Sequence, residues 1–495
     1  MPKRLKSIVA GGISLVLLAG CSSTAQVNGD VDPDVAMVEE VAAPQTLESL
    51  PPSASTTGIG RKDPTIAAVP EAAEIALRSA ESAFVASAPP SPTTVPRTAM
   101  DHGPGVTDRV IRIGAPLIGQ EPELFDTLGY DETLRPDFAR VWRIVTRAIN
   151  ANGGILGRRL EVVLLPGEPS AEQVCTRFTE EVPVIAVIGH ETGAASCLSR
   201  AGTASISHTY ALEPEDYRRV PHLVAPLGIT LQRANRLYID GLYQQGFFDG
   251  DHKIGIIRWD TPGYASLSNK VVRPALARYG LEVEEEVAIH NPETDEQIAQ
   301  SLAEGWSSVQ TFKDAGVDRM LTLDVATYIL PHFTKFAKQQ EYHPRYGLNS
   351  LNGGEWELER DQLEGAMGIG WMPWLDLEPR DAYRHGSEGA RRCKDLMVAA
   401  GASEEMDTYN EGIWTSSICD GALLLKAAIE AGGPNITADS IVAGVETLGT
   451  SFQASNTLMT RFGPGRHEGP AAIRLLRWFT GCQCFRYTSD LFDAG

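Results

Sequence analysis

The stretch INANGGILGRRLEVVL, Ile149 to Leu164, compresses the end of a helix, two turns and the start of a strand into 16 residues. Upstream, Phe138, Trp142, Val145 and Ile149 recur at helical spacing, so a helix runs out at Asn152-Gly153-Gly154. Gly153 or Gly154 can take the left-handed conformation that closes a helix, and Gly157 permits the turn into the strand Arg158 to Leu165. So short a junction joins a helix to a strand of the sheet it covers, which is the unit of wound α/β architecture.

The alternation continues along the chain. A first strand, RVIRIGAPLIG from Arg109, precedes that helix, and its turn from alternating to wholly apolar residues suits a sheet covered on both faces. Then come the helix SAEQVCTRFTEE, the strand VIAVIGH, a helix beginning near TGAASCLSRAG and the strand ASISHTY. A second series follows, KIGIIRWD with SNKVVRPALARYG and DRMLTLDV with YILPHFTKFAKQQ. This is the order of parallel sheets joined by crossover helices. The segment HLVAPLGITLQRANRLYIDGLYQQG lies between the series and is expected to pass from one lobe to the next. The acidic run Glu284-Glu285-Glu286 is expected to be solvated surface.

The first 20 residues carry Lys3, Arg4 and Lys6 ahead of an apolar run from Ile8 to Gly20, too short to span a bilayer core that needs about 20 residues, and are expected to be a signal peptide. Leu18-Ala19-Gly20-Cys21 resembles the lipobox of bacterial lipoproteins, which implies lipidation of Cys21 and an extracytoplasmic protein tethered to the membrane; the alternative is an ordinary secretory peptide with a chance cysteine. Loss of three positive charges takes the net charge from −21 to −24, a field unsuited to nucleic acid. Residues 21–106 are expected to be the lipid anchor and a flexible Ala/Pro/Ser/Thr linker, whose 85 residues after Cys21 would span roughly 50 Å as coil. The remaining length exceeds what one core usually holds, so two lobes are expected.

INANGGILGRRLEVVLLPGE, VIAVIGHETGAAS and KIGIIRWDTPGYA together resemble the leucine/isoleucine/valine-binding proteins, a branch of the type 1 periplasmic-binding fold, over the whole region from about Val106. The resemblance implies two doubly wound parallel-sheet α/β lobes joined by a three-crossing hinge, with lobe 1 at 107–225 and 369–460 and lobe 2 at 226–368 and 461–495. The crossings would lie near Ala225 to Gly228, Gly365 to Gly370 and Phe462 to Gly465. It further implies a small-molecule ligand enclosed between the lobes, ABC permease subunits as partners, and no cofactor.

Carried over by motif, the ligand would meet Glu191, Thr192 and Gly193 in the first lobe, where the family commonly has a carboxylate-binding serine at the Gly193 position. Thr209 and Tyr210 follow the next strand in place of the family's Ser-Pro-Ala-Ala-Thr type of sequence. In the second lobe Tyr264 keeps a tyrosine that typically packs on the ligand, and Asp324 and Asn349 fill the remaining loop positions. Bland roles compete: Glu191 could cap the following helix, Tyr264 could be an ordinary loop aromatic, and His190 reads better as structural than as a ligand contact. Departures gather at the ligand positions while the scaffold motifs persist, so the ligand is expected to differ from a simple branched-chain amino acid.

Six cysteines remain besides Cys21, an even number that suggests disulfides in an exported chain. The family often carries a bridge in the region of Cys175 and Cys197, which implies their pairing; Cys393 with Cys419 is a second candidate pair. Cys482 and Cys484 are expected on one face of a single last strand, where a mutual bridge would be strained and a zinc site lacks its second ligand pair. There is no Gly-x-Ser-x-Gly, His-Glu-x-x-His, phosphate loop or dinucleotide fingerprint, so no enzyme and no metal site is expected. The reading is a lipid-anchored solute-binding protein that delivers its ligand to an ABC importer. The alternative is a sensor or scaffold of the cell envelope on the same fold, with which the long tether is compatible.

Overall fold

A computed structural model of the chain describes residues 102–117, 136–167, 169–190, 192–208, 211–212, 218–292, 295–323, 329–351, 358–373, 375, 387–406 and 409–495. The first strand, β1 (Val110–Pro116), leads to α1 (Phe138–Ala151). Asp137 caps α1 by accepting a hydrogen bond from the Arg140 amide at 2.9 Å, and Phe138, Val141, Trp142, Val145 and Ile149 form its buried stripe. At roughly 2 kcal/mol for each large side chain, this face rather than helix propensity holds α1 in place.

The junction after α1 uses its glycines in two ways. Gly153, Gly154 and Gly157 all have positive φ, at 90°, 71° and 75°. A Cβ on Gly153 or Gly157 would meet nothing within 4 Å, whereas one on Gly154 would run into the Arg158 carbonyl. Asn150 completes the connection: its side chain donates to the Leu160 carbonyl at 3.0 Å and accepts from the Leu160 amide at 2.8 Å, stapling the helix to β2 (Arg159–Leu165).

The first sheet then gains β3 (Ala186–His190), β4 (Ala204–Ser207) and, beyond the short β5 (Ala211–Leu212), β6 (Leu223–Val224), in the order β2-β1-β3-β4-β6 and parallel throughout. Helices α2 (Ala171–Thr176), extended by a wide turn at Arg177–Glu181, and α3 (Ala195–Arg200) are crosslinked by Cys175 to Cys197, with Cα atoms 6.0 Å apart. Closing a loop of that length stabilises by about 3 kcal/mol in the chain-entropy account.

After β7 (Ile229–Thr230), which pairs with β5, α4 (Leu231–Gln244) opens the second half. There follow β8 (Ile254–Trp259), α5 (Pro262–Leu267), a wide turn, α6 (Arg273–Ala277), β9 (Val283–Ile289), α7 (Asp295–Ala315), β10 (Arg319–Leu323), α8 (Ile329–Gln339), β11 (Arg345–Leu348) and β12 (Met367–Gly370). Helices α9 (Glu388–Ala399), α10 (Tyr409–Gly432) and α11 (Ala438–Thr447) return to the first half, where α10 packs on β3 and β4. Strands β13 (Ala472–Phe479), β14 (Cys484–Tyr487) and β15 (Phe492–Asp493) complete the second sheet, ordered β14-β13-β12-β11-β10-β8-β9 with β15 beside β13. Its β9 to β12 region is parallel, and β13 and β14 add an antiparallel edge.

Each sheet is covered on both faces, and the two-residue strand period sorts neighbours into different cores. Ile188 joins the large core, while Val187 faces a smaller cluster with Val174, Phe178 and Leu198. Likewise Ile256 faces the large core and Ile257 packs with Phe312, Phe333 and Tyr346.

Two local expectations change. The acidic run is no uniform solvated face: it lies in β9, and the Glu286 carboxylate is 11% exposed, bonded to Arg258 at 2.5 Å, Arg273 at 2.7 Å and Ser268 at 2.7 Å. Burial tends to raise its pKa, but hydrogen bonds from Arg258, Ser268 and Arg273 outweigh it and hold the carboxyl below its usual range. The segment expected as one last strand is a hairpin, because the chain turns at Thr480 to Gln483 between β13 and β14. Residues 463–466, near the expected third crossing, also form a tight hairpin turn, with Gly463 and Arg466 bonded amide to carbonyl in both directions.

The glycine junction yields a graded prediction. Gly153→Ala is expected to cost about 1 kcal/mol, the left-handed penalty alone. Gly154→Ala adds a backbone collision and is expected to cost ~3 kcal/mol or more. Equal losses in denaturant unfolding would contradict this division of roles.

Candidate functional site

Strand order locates the site before any residue is considered. In a wound sheet the crossovers before and after the point where the order reverses lie on opposite faces, leaving a crevice at the carboxyl ends of the strands there. In the first sheet this point falls between β1 and β3, and in the second between β8 and β10. The segments leaving β3 and β8 are His190 to Ala194 and Asp260 to Tyr264.

Of the sequence candidates, Glu191, Thr209, Tyr210 and Asp324 lie outside the described residues. Thr192 and Gly193 form a 3-10 turn ahead of α3, and Gly193 is exposed. A Cβ at Gly193 would meet only the Ala171 methyl, at 3.3 Å. The backbone therefore has nearly enough room for the serine common at this position, and the hydroxyl is missing by side-chain choice. Tyr264 lies in the first turn of α5, whose Pro262 pre-sets the helical φ. It is half-buried and packs against both the large core and the second-sheet core. Asn349, 5% exposed after β11, accepts the Leu351 amide at 2.7 Å, an Asx turn that shapes the loop from within. The described residues thus place Gly193 and Tyr264 at the two reversal points and Asn349 one strand further along.

Around these positions the structure shows the scaffolding. Gly189 has φ 89°, and a Cβ there would stand 3.2 Å from the His208 ring. On α10, a Cβ at Gly421 would collide with the Ile188 side chain, while it would meet His208 Nε2 only in ordinary contact at 3.4 Å. His208 is thus buried against Gly189 at the carboxyl edge. Asp260 receives the Asn291 amide at 3.2 Å and lies 3.1 Å from His290 Nδ1. Burial opposes its ionisation, but these contacts hold its pKa below the usual carboxylate range.

Crossings between the sheets were expected near Ala225 to Gly228 and Gly365 to Gly370; what sequence reasoning missed is which residues fasten them. Ala225, just beyond β6, bonds through its amide to the His467 carbonyl at 2.9 Å and accepts the Gly469 amide at 3.0 Å. Glu468 between them accepts the Thr230 amide at 2.9 Å and pairs with Arg233 at 3.1 Å, both side chains being 11% exposed. Beyond β12, the carbonyl of the fully buried Trp371 accepts the Leu458 amide at 2.7 Å, and its amide donates to Ser350 at 2.9 Å. Among the described residues, Trp371 Nε1 and Asn456 Oδ1 on these connections and Ser416 Oγ on α10 are buried without a hydrogen-bond partner. Buried polar atoms left in this condition are uncommon and mark places where a bound molecule or water would be held. Their signal in sequence was slight: a tryptophan after Gly368-Ile369-Gly370 and polar residues in an apolar helix.

The loop carrying Asn456 is fastened by Asp420 of α10, which is 1% exposed and accepts the Ser455 amide at 2.6 Å and hydroxyl at 2.9 Å. Burial pushes the Asp420 carboxyl from 3.8 up to about 7, against the lowering pull of those hydrogen bonds and of Arg392. With the folded pKa raised, the associated stability is complete below the unfolded pKa and lost as pH rises through about 7. Wild-type stability is therefore expected to fall by ~2–4 kcal/mol across that window through this group. Asp420→Asn can accept the Ser455 amide through Oδ1 and donate to the Ser455 hydroxyl through Nδ2, and should remove that part of the slope; identical pH profiles in chemical denaturation would refute the assignment.

Among the described residues, no group of three His, Cys, Asp or Glu side chains is placed to hold a metal, and no helix is long and apolar enough to cross a membrane. No family model and no curated protein matches the chain. Solved structures do. An ABC transporter substrate-binding protein from Desulfitobacterium hafniense in complex with leucine is 18% identical with a TM-score of 0.53, covering 77% of this chain and 99% of its own. A solute-binding protein of an ABC transporter from Rhodopseudomonas palustris in complex with 4-hydroxybenzoate is 16% identical with a TM-score of 0.55, covering 78% and 98%. A fatty acid ABC transporter substrate-binding protein from Thermomonospora curvata is 15% identical with a TM-score of 0.54, covering 80% and 95%.

Proposed function

We propose that this chain, which has the two-lobed fold of the type 1 periplasmic-binding proteins, is an extracytoplasmic solute-binding protein. Tethered through a lipid on Cys21, it captures a small polar ligand between its lobes by hinge closure and delivers it to the permease subunits of an ABC importer. The lobes are 107–225 with 369–460 and 226–368 with 461–495. The observation that carries the reading is Tyr264, at the reversal point of the second sheet and half-buried against both cores. A side chain so placed gains contact when the lobes approach a common ligand, and such differential contact shifts an open-closed equilibrium.

Glu191, Thr192 and Gly193 with Thr209 and Tyr210 form the first-lobe half of the site, and Tyr264, Asp324 and Asn349 the second. The ligand is amino-acid-like or a derivative. The similar structures carry leucine and 4-hydroxybenzoate, so the scaffold accommodates more than one ligand class. Glycine in place of serine at position 193 leaves an anionic group to backbone donors, with Glu191 nearby to oppose it. This favours a ligand whose polar groups are not a simple amino-acid carboxylate. The reading assigns no catalytic residue.

Thermal unfolding against amino acids, amides, polyols and aromatic acids tests it. A ligand at a hundredfold excess over its dissociation constant stabilises by about 2.7 kcal/mol and raises the midpoint. Tyr264→Ala should weaken the identified ligand by roughly tenfold or more, the loss of one aromatic contact, while lowering the apo midpoint only modestly and leaving the protein folded. Unchanged affinity would displace Tyr264 from the site. A folded, ligand-free protein that responds to no compound would favour the envelope sensor or scaffold.

A further inference from the structure

The hairpin between β13 and β14 carries Cys482-Gln483-Cys484, which solute binding does not use. The structure joins the two cysteines across a single residue, with Cα atoms 5.2 Å apart. Gln483 has φ 49°, a left-handed conformation that glycine takes freely and a glutamine adopts at a cost. Cys482 is exposed at the tip, whereas Cys484 is 2% exposed at the start of β14. Phe479, opposite Cys484 in the hairpin register, is 44% exposed, and the next same-face pair in that register is Arg477 with Arg486.

The other two bridges differ in each respect. Cys393 and Cys419 are fully buried, and Cys175 and Cys197 are half-buried on packed helices; these pairs close separations of 26 and 22 residues. A bridge that closes a long loop constrains the unfolded chain strongly, while one that spans a single residue constrains it little. The hairpin bridge therefore combines a sulfur open to attack with a small loop-closure contribution, in a turn whose Gln483 already takes a left-handed conformation.

We propose that Cys482–Cys484 is a thiol–disulfide exchange site that accepts two electrons from a dithiol, the exposed phenyl ring of Phe479 offering an apolar contact to a peptide bearing it. A thiolate of the dithiol attacks Sγ of Cys482. The new bond is a mixed disulfide, the Cys482–Cys484 bond breaks, and Cys484 leaves with the electron pair and takes a proton from water. The second thiolate then attacks the mixed disulfide on the sulfur that belongs to the dithiol. Cys482 leaves as a thiolate and is protonated, so the dithiol is oxidised to a disulfide and the protein bridge is reduced.

The test uses the full-length folded protein. After brief exposure to dithiothreitol, iodoacetamide trapping and peptide mass spectrometry should find Cys482 and Cys484 labelled at least about tenfold faster than the other four bridged cysteines, as accessibility of the attacked sulfur sets the rate. A reduced dithiol peptide with an aromatic residue should be oxidised one for one by the wild type and left reduced by Cys482→Ser/Cys484→Ser. Circular dichroism and thermal unfolding of that variant establish that it remains folded. Reduction of all three bridges together, faster opening of either other bridge, or failure of the wild type to oxidise the peptide would overturn the proposal.

Discussion

Parallel strands impose the constraint from which the rest follows. Such strands cannot be joined by a tight hairpin, so each must be followed by a crossover, and here most crossovers are helical. Those helices bury both faces of each sheet, as the division of Val187 from Ile188 and of Ile256 from Ile257 between separate cores shows. With both faces occupied, the strand ends are left as the surfaces on which loops can vary. The reversal in strand order then opens the crevice at one such edge of each sheet.

Dependence on this arrangement explains why the rigid and variable parts are so clearly separated. The α1 to β2 junction spends three positive-φ glycines and the paired hydrogen bonds of Asn150 on a connection with little freedom. At the carboxyl edge, Gly189 leaves space for His208 and Gly421 for Ile188, again fixing the frame. The loops beyond that frame carry the proposed ligand positions, where the sequence departs from the resemblance. A scaffold shared with proteins that bind leucine and 4-hydroxybenzoate can therefore persist while the chemistry at its edges changes.

Electrostatics adds a second level of organisation. An acidic chain has little difficulty staying solvated, but its interior charges are individually compensated: Glu286 by two arginines and a serine, and Glu468 by Arg233 and the Thr230 amide. Asp420 is fully buried and held by neutral donors from Ser455, and its burial outweighs the lowering pull of those hydrogen bonds and raises its pKa. Glu468 and the Asp420–Ser455 contact both lie on the connections between the sheets, where a backbone segment leaving one layer needs partners that regular secondary structure does not provide.

Local features were legible in the sequence because their causes are local. Helical spacing announced α1, positive-φ glycines announced its end, and the alternation of apolar strands with helices announced a wound α/β fold. The positions of Gly193 and Tyr264 followed from strand ends and a resemblance, without their environments. Tertiary structure decided what depends on residues far apart in the chain: Glu286 reads as one of three surface acids until Arg258 and Arg273 arrive from other elements, and Ala225 acquires its partners from residues 467–469. The last strand became a hairpin because β13 pairs with β12 on one side and the returning β14 on the other. Periodicity and turn chemistry are properties of neighbouring residues, whereas burial, charge pairing and strand order are properties of segments that meet only when the chain has folded.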